Sequence, residues 1–103
     1  MSGPGGGTFD GPSEDSGRKC DELRFETAIA SPNPNVIENL SLGDVLEIEI
    51  REGAIALVHR TGIAGSIVQN VPELIRCLQQ GYEFEGEIKS IRGGRVDIEV
   101  RPA

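Results

Sequence analysis

The feature that most constrains this chain is a set of strand-like runs of period two, separated by glycine turns and interrupted by one capped helix. In the 103-residue chain, the runs span 45–51, 54–61, 82–91 and 95–101, and the helix spans 72–80. Side chains alternate between the two faces of a strand, so an apolar residue at every second position gives each run one face for a core. The pattern predicts a small β-rich domain with a defined interior.

The apolar residues of the last two runs determine the register in which these runs pair. Their alternating apolar rows coincide only if Ile88 lies opposite Ile98. That pairing leaves residues 92–94 as a three-residue loop, which ends in a glycine suited to the left-handed conformation. We therefore predict a bulged turn at this loop, with Lys89 opposite Asp97 on the outer face.

Turn and cap signals predict the remaining elements. Residues 52–53, Glu-Gly, fit a two-residue hairpin loop. Asn35 with Glu38 three residues later predicts a short helical turn, and Asn70 is the expected cap of the main helix. The run over 63–68 is rich in small residues, so we expect another backbone segment to approach it closely.

Composition divides the chain into a tail and one domain. Residues 1–22 carry glycine, proline, serine and charged residues with one aromatic, Phe9, and are predicted to be a disordered tail. Residues 23–103 are predicted to form one small domain that starts with an alternating strand over 23–29. The expected fold class is α+β: a small bent antiparallel sheet, or a partly open SH3-like barrel, with one main helix and one short helix.

Net charge and apolar content restrict the partners. The formal net charge is −7, and the excess acid is concentrated in the tail and the first half of the chain. Such a distribution argues against sequence-independent attraction to nucleic-acid phosphates. No apolar run approaches the roughly 18 residues of a membrane helix. Without a signal-peptide pattern, Cys20 and Cys77 are not expected to make a disulfide framework, and a cytoplasmic location is predicted.

The side chains that could carry catalysis do not form a set. His59 is the only histidine, and Asp44 is the only acid that could reach it, so a structural role is favoured. Cys77 has no neighbouring base to activate its thiolate. No ligand pair has the spacing of a metal site, and no glycine motif matches a phosphate-binding loop. We therefore predict no catalytic residue, no metal and no cofactor, and the chain is not expected to be an enzyme.

Four segments carry a resemblance to a known family: GDVL at 43–46, AIALV at 54–58, IAGSI at 63–67 and the helical PELIRCLQQG at 72–81. Their order resembles the HIRAN domain, a small SH3-like barrel with one inserted helix. In that family, a loop rich in Asn, Pro, Tyr and Asp before the second hairpin strand holds single-stranded DNA ends. Here that loop is residues 51–53 only, so no binding residue is carried over.

Two functions follow from these observations. The leading one is a non-catalytic interaction module, an accessory protein whose partner is another protein that no motif identifies. The alternative is a HIRAN-like module that binds single-stranded nucleic acid. Its contacts would be Arg60, Arg92 and Arg95, which lie at strand ends, with Tyr82 as the stacking residue.

Overall fold

The fold is α+β, as predicted, and is described here for residues 20–103 of a computed structural model. The chain starts with a 3-10 turn at Cys20–Glu22. The other elements are, in order, β1 (Phe25–Ala28), α1 (Pro34–Ile37), β2 (Val45–Arg51), β3 (Ala54–His59), β4 (Gly62–Ile67), α2 (Val71–Gln79), β5 (Phe84–Arg92) and β6 (Arg95–Pro102). The predicted set of about six strands with one main and one short helix is confirmed.

All six strands belong to one antiparallel sheet in the order β1-β6-β5-β2-β3-β4. The sheet curls, and the chain that follows β1 reaches the far edge. There Ala30 and Ser66 of β4 exchange two backbone hydrogen bonds of 2.8 and 2.9 Å. The N–H of Asn33 also donates to the carbonyl of Ala64 at 2.9 Å. These contacts give the partly open barrel that the sequence predicts.

The close approach expected in the small-residue strand occurs at Gly65. A Cβ at this position would lie 2.3 Å from Cγ2 of Ile29 and 2.7 Å from the carbonyl oxygen of Ala30. Carbon atoms in contact normally lie about 3.5–4.0 Å apart. Only glycine therefore fits where the chain after β1 crosses β4.

The interior is filled mostly by aliphatic side chains from the inner rows of the strands. The residues with no exposed surface are Leu46, Ile55, Leu57, Leu74, Val96, Ile98 and Val100, with Ala64 and the two cysteines. The main helix contributes Leu74 and Cys77 to this core, and the short helix contributes Val36. The sheet and both helices thus share one hydrophobic core.

The first hairpin has the predicted loop and register. Ile50 pairs with Ile55 and Ile48 pairs with Leu57. The loop is residues 52–53, and both have positive φ angles, 53° and 80°. A two-residue loop of this kind matches the right-handed twist of the strands it joins.

The last hairpin has the predicted pairing of Ile88 with Ile98, but its loop prediction is wrong. Arg92 pairs with Arg95, so the loop has two residues rather than three. The extra residue is instead a β-bulge at Lys89, between Ile88 and Ser90. Ser90, not Lys89, therefore lies opposite Asp97. Without the bulge, a two-residue loop would place Ile88 opposite a residue of the outer face of β6. The extra residue in the bulge returns Ile88 to its position opposite Ile98.

The cysteine prediction is also wrong. Cys20 and Cys77 form a disulfide, with their Cα atoms 5.7 Å apart, and both are fully buried. The bond attaches the 3-10 turn to α2. Cys20–Glu22 therefore belong to the ordered domain, three residues before the predicted boundary. The rest of the predicted tail, residues 1–19, lies outside the described residues.

Both helix caps differ in detail from the predictions. The short helix is capped by Asn33 rather than Asn35, because the side-chain oxygen of Asn33 accepts the N–H of Asn35 at 3.1 Å. Asn70 is the N-cap of the main helix, as predicted. Its backbone is left-handed, with φ of 57°, and its side chain makes no capping hydrogen bond.

Candidate functional site

The residues predicted to contact nucleic acid do not form a single surface. Arg92 and Arg95 pair across the last hairpin, and their side chains are 77% and 66% exposed. Each forms an ion pair with Asp97, at 3.7 and 3.0 Å. Tyr82 lies just before β5, whereas Arg92 ends that strand. Arg60 follows β3 in another hairpin. The structure brings Arg92 and Arg95 together, but it separates them from Tyr82 along the full length of β5.

His59 closes a turn between two strands. Its Nδ1 accepts the backbone N–H of Thr61 at 3.3 Å and lies 2.8 Å from the hydroxyl of Thr61. An acceptor Nδ1 in a neutral imidazole leaves the proton on Nε2. Asp44, the expected partner, instead accepts the N–H of Ser41 at 2.9 Å. The predicted structural role of His59 agrees with these contacts.

No metal site or membrane helix is present in the described part of the chain. Within residues 20–103, no group of three His, Cys, Asp or Glu side chains is placed to hold a metal ion. No helix in this range is long and apolar enough to cross a bilayer.

The outer face of β5 and β6 carries an ion-pair network centred on Arg101. Its guanidinium contacts Glu85 at 2.9 Å, Glu87 at shorter range and Glu99 at 3.4 Å. Lys89 lies 3.4 Å from Glu87. The hydrogen bond from Arg101 lowers the pKa of Glu87, and the glutamates raise the pKa of Arg101. The network offsets the repulsion that Glu87 and Glu99 would otherwise exert as directly paired residues.

An open groove lies where β2 and β5 separate. The two strands pair only where residues 45–47 meet residues 85–87. Beyond that point the end of α2 contributes to a groove of about 580 Å³, which we call the Tyr82 groove. Its floor consists of apolar side chains that are mostly buried: Leu46, Ile48, Leu78 and Phe84. Its rim consists of Val45, Glu47, Tyr82, Glu83, Glu85 and Ala103.

The rim carries negative charge that is only partly neutralised. Glu47 lies directly opposite Glu85 on the neighbouring strand. Arg101 neutralises Glu85 from the β6 side. The side-chain carboxylates of Glu47 and Glu83 have no hydrogen-bond or ion-pair partner among residues 20–103. Two carboxylates without a counter-ion from the described chain therefore lie on the same rim as the exposed Val45 and Tyr82.

A second groove, of about 480 Å³, lies between α1 and the last hairpin. Its walls are apolar except for Glu38 and include two prolines and the glycines of the hairpin loop. Leu40 and Ile37 on its floor also pack on the core. Its only charged lining residue is Glu38, so it has fewer groups than the Tyr82 groove to select a partner.

None of the sequence-based predictions includes the Tyr82 groove. The strand predicted to begin at residue 82 begins at Phe84, and Tyr82 is 41% exposed. One available signal was the position of Tyr82 directly after Gly81, where a helix end gives way to a new strand. Comparison with protein-family models, with curated proteins and with solved structures gives no significant match.

Proposed function

We propose that this chain is a non-catalytic module that binds another protein through the Tyr82 groove. The observation that carries the proposal is a groove between two diverging strands that presents exposed apolar side chains at its rim, Val45 at 48% and Tyr82 at 41% exposure. Aromatic residues beside apolar pockets are the anchors that dominate protein–protein binding energy.

The two side chains on which an enzyme hypothesis depends have structural roles, and this supports a non-catalytic function. His59 holds the turn to β4 through Thr61. Cys77 is bonded to Cys20, so it offers no thiolate nucleophile in the oxidised protein. The predicted cytoplasmic location forms part of the proposal and requires the buried Cys20–Cys77 bond to persist in a reducing compartment, so cell fractionation is combined with thiol labelling of the fraction that contains the protein.

A second candidate is the HIRAN-like binding of single-stranded nucleic acid. The favouring observation is the exposure of Arg92 and Arg95 at one hairpin tip. Against it, Asp97 already pairs with both arginines, and the net charge of −7 repels phosphate. We expect only weak binding to an oligonucleotide with a free 3′ end at low salt. Sub-micromolar affinity that an Arg92→Glu/Arg95→Glu double variant abolishes would favour this candidate instead.

Affinity capture with matched variants tests the leading proposal. The bait proteins are the unmodified chain, Tyr82→Ser and, as control, Leu42→Ser, which alters a side chain that is 67% exposed outside the groove. We expect a specific protein to be captured by the unmodified chain and by Leu42→Ser, and to be lost with Tyr82→Ser. Equal urea midpoints for the three baits would show that folding is unchanged. A partner retained by Tyr82→Ser would contradict the proposed surface.

A further inference from the structure

We infer that the Tyr82 groove binds a basic segment of its partner, an extended stretch in which Arg or Lys alternates with aliphatic residues. This inference rests on the proposed function and adds the chemistry of the partner. It depends on the carboxylates, the aromatic ring and the accessible aliphatic side chains of the groove, each of which selects a different part of the ligand.

The carboxylates select the charge. Glu47 and Glu85 face each other on neighbouring strands, an arrangement that is unfavourable for like charges. Arg101 relieves only Glu85, from the side away from β2. Glu47 and Glu83 therefore leave an anionic edge that a guanidinium or ammonium group can neutralise. Charge-assisted hydrogen bonds to carboxylates are about twice as strong as neutral ones.

The ring of Tyr82 and the aliphatic side chains of Leu78 and Val45 select the rest of the ligand segment. Arg and Lys combine an apolar stem with a cationic head. The stem can lie along Leu78, while the head reaches Glu47 or Glu83 at the rim. A cation over the exposed ring of Tyr82 gains further attraction from the π system. The intervening aliphatic residues of the segment can pack on Val45, which is 48% exposed at the rim.

The net charge of the whole chain favours the same partner. With a net charge of −7, the protein attracts basic segments electrostatically, and added salt shortens the distance over which this attraction acts. The groove volume of about 580 Å³ lies within the range of ordinary ligand sites, which is about 300–1,000 Å³. The same rim repels phosphate, so nucleic acid is not the expected occupant.

Titration of the full-length ¹⁵N-labelled chain with three capped octapeptides tests the inference. The peptides alternate leucine with arginine, glutamine or glutamate. We expect only the Leu/Arg peptide to shift the amide signals of Tyr82 and its groove neighbours, with an affinity that falls as salt rises. In a Glu47→Lys/Glu83→Lys variant, its affinity should fall by about tenfold. The control, Glu38→Lys/Glu52→Lys, makes the same change in net charge at two exposed sites outside the groove and should retain most of the affinity.

Each alternative outcome overturns a different statement. Equal binding of the Leu/Gln or Leu/Glu peptide at the groove would overturn the charge selection but leave the groove as a protein-binding site. An equal loss of affinity in the control variant would show that net charge acts without the groove carboxylates. If no peptide perturbs the groove, the inference of a basic segment is wrong. The capture experiment with Tyr82→Ser then still tests the proposed function.

Discussion

Replacement of Gly65 by alanine should open the barrel at the contact between β4 and the chain that follows β1. The new methyl group would lie 2.7 Å from the carbonyl oxygen of Ala30 and 2.3 Å from a methyl group of Ile29. Ile29 is 5% exposed, and the carbonyl of Ala30 is hydrogen-bonded to Ser66. Neither atom can move alone, so residues 29–33 must shift away from β4 by about 1 Å to restore normal contact.

The magnitude follows from the hydrogen bonds that such a shift disrupts. Two bonds join Ala30 to Ser66, and a third joins Asn33 to Ala64. Each contributes about 1 kcal/mol net, and alanine recovers about 0.4–1 kcal/mol by restricting the unfolded chain. We therefore expect Gly65→Ala to lower the free energy of unfolding by about 2–3 kcal/mol.

Urea unfolding followed by circular dichroism measures this change. A loss of 2–3 kcal/mol lowers the midpoint by about 1–2 M for a protein of this size. The matched control is Gly86→Ala, where the new methyl group would meet only side-chain ends, on Ile98 and Leu57, at 3.2 and 3.3 Å. We expect it to stay within about 1 kcal/mol of the unmodified protein. Equal midpoints for the two variants would refute the argument from backbone contact.

Three further predictions concern the core, the disulfide and the ion pairs. Ile98→Ala should lower the free energy of unfolding by about 2–5 kcal/mol in urea, because it leaves a cavity at a fully buried site. A change of only a few tenths of a kcal/mol would contradict that burial. Cys77→Ser removes the bond to Cys20, whose sequence separation is 57, and should lower stability by about 4 kcal/mol by the chain-entropy relation; an unchanged midpoint in non-reducing buffer would argue against the bond. Because Arg101 lowers the pKa of Glu87, that carboxylate stabilises the fold above its unfolded pKa, and the contribution is lost as pH falls through the lower folded value. Arg101→Gln should raise the pKa of Glu87, as followed by carboxyl NMR, and an unchanged titration would contradict the ion pair.

The sequence predicts which side chains face inward more securely than where the chain turns. The inner rows require Ile88 to meet Ile98, and they do. Either a longer loop or a bulge can absorb the extra residue, and period-two alternation does not distinguish them. The bulge at Lys89 therefore could not be predicted from the pattern. The disulfide depends on distance in space, which the separation of Cys20 and Cys77 along the chain does not report.

The candidate site depends on a feature that no local pattern encodes. The Tyr82 groove exists because β2 pairs with β5 over three residues and then diverges from it. Those strands are separated in sequence by two other strands and a helix, so their divergence is a tertiary property. The three predicted arginines lie at or next to strand ends, as expected. Whether they can contact one ligand depends on the distance between those strand ends, which the sequence does not report.

The pairing of β1 with β6 has a consequence for how the protein is made. The first strand finds its neighbour in the last, from Phe25 opposite Val100 to Ala28 opposite Asp97. During synthesis, β1 is made before any residue of its partner strand exists, and it must wait unpaired while four other strands and two helices are made before β6. Folding of this barrel is therefore expected to wait until β6 has been synthesised, and to be slower than in chains whose strands pair in order.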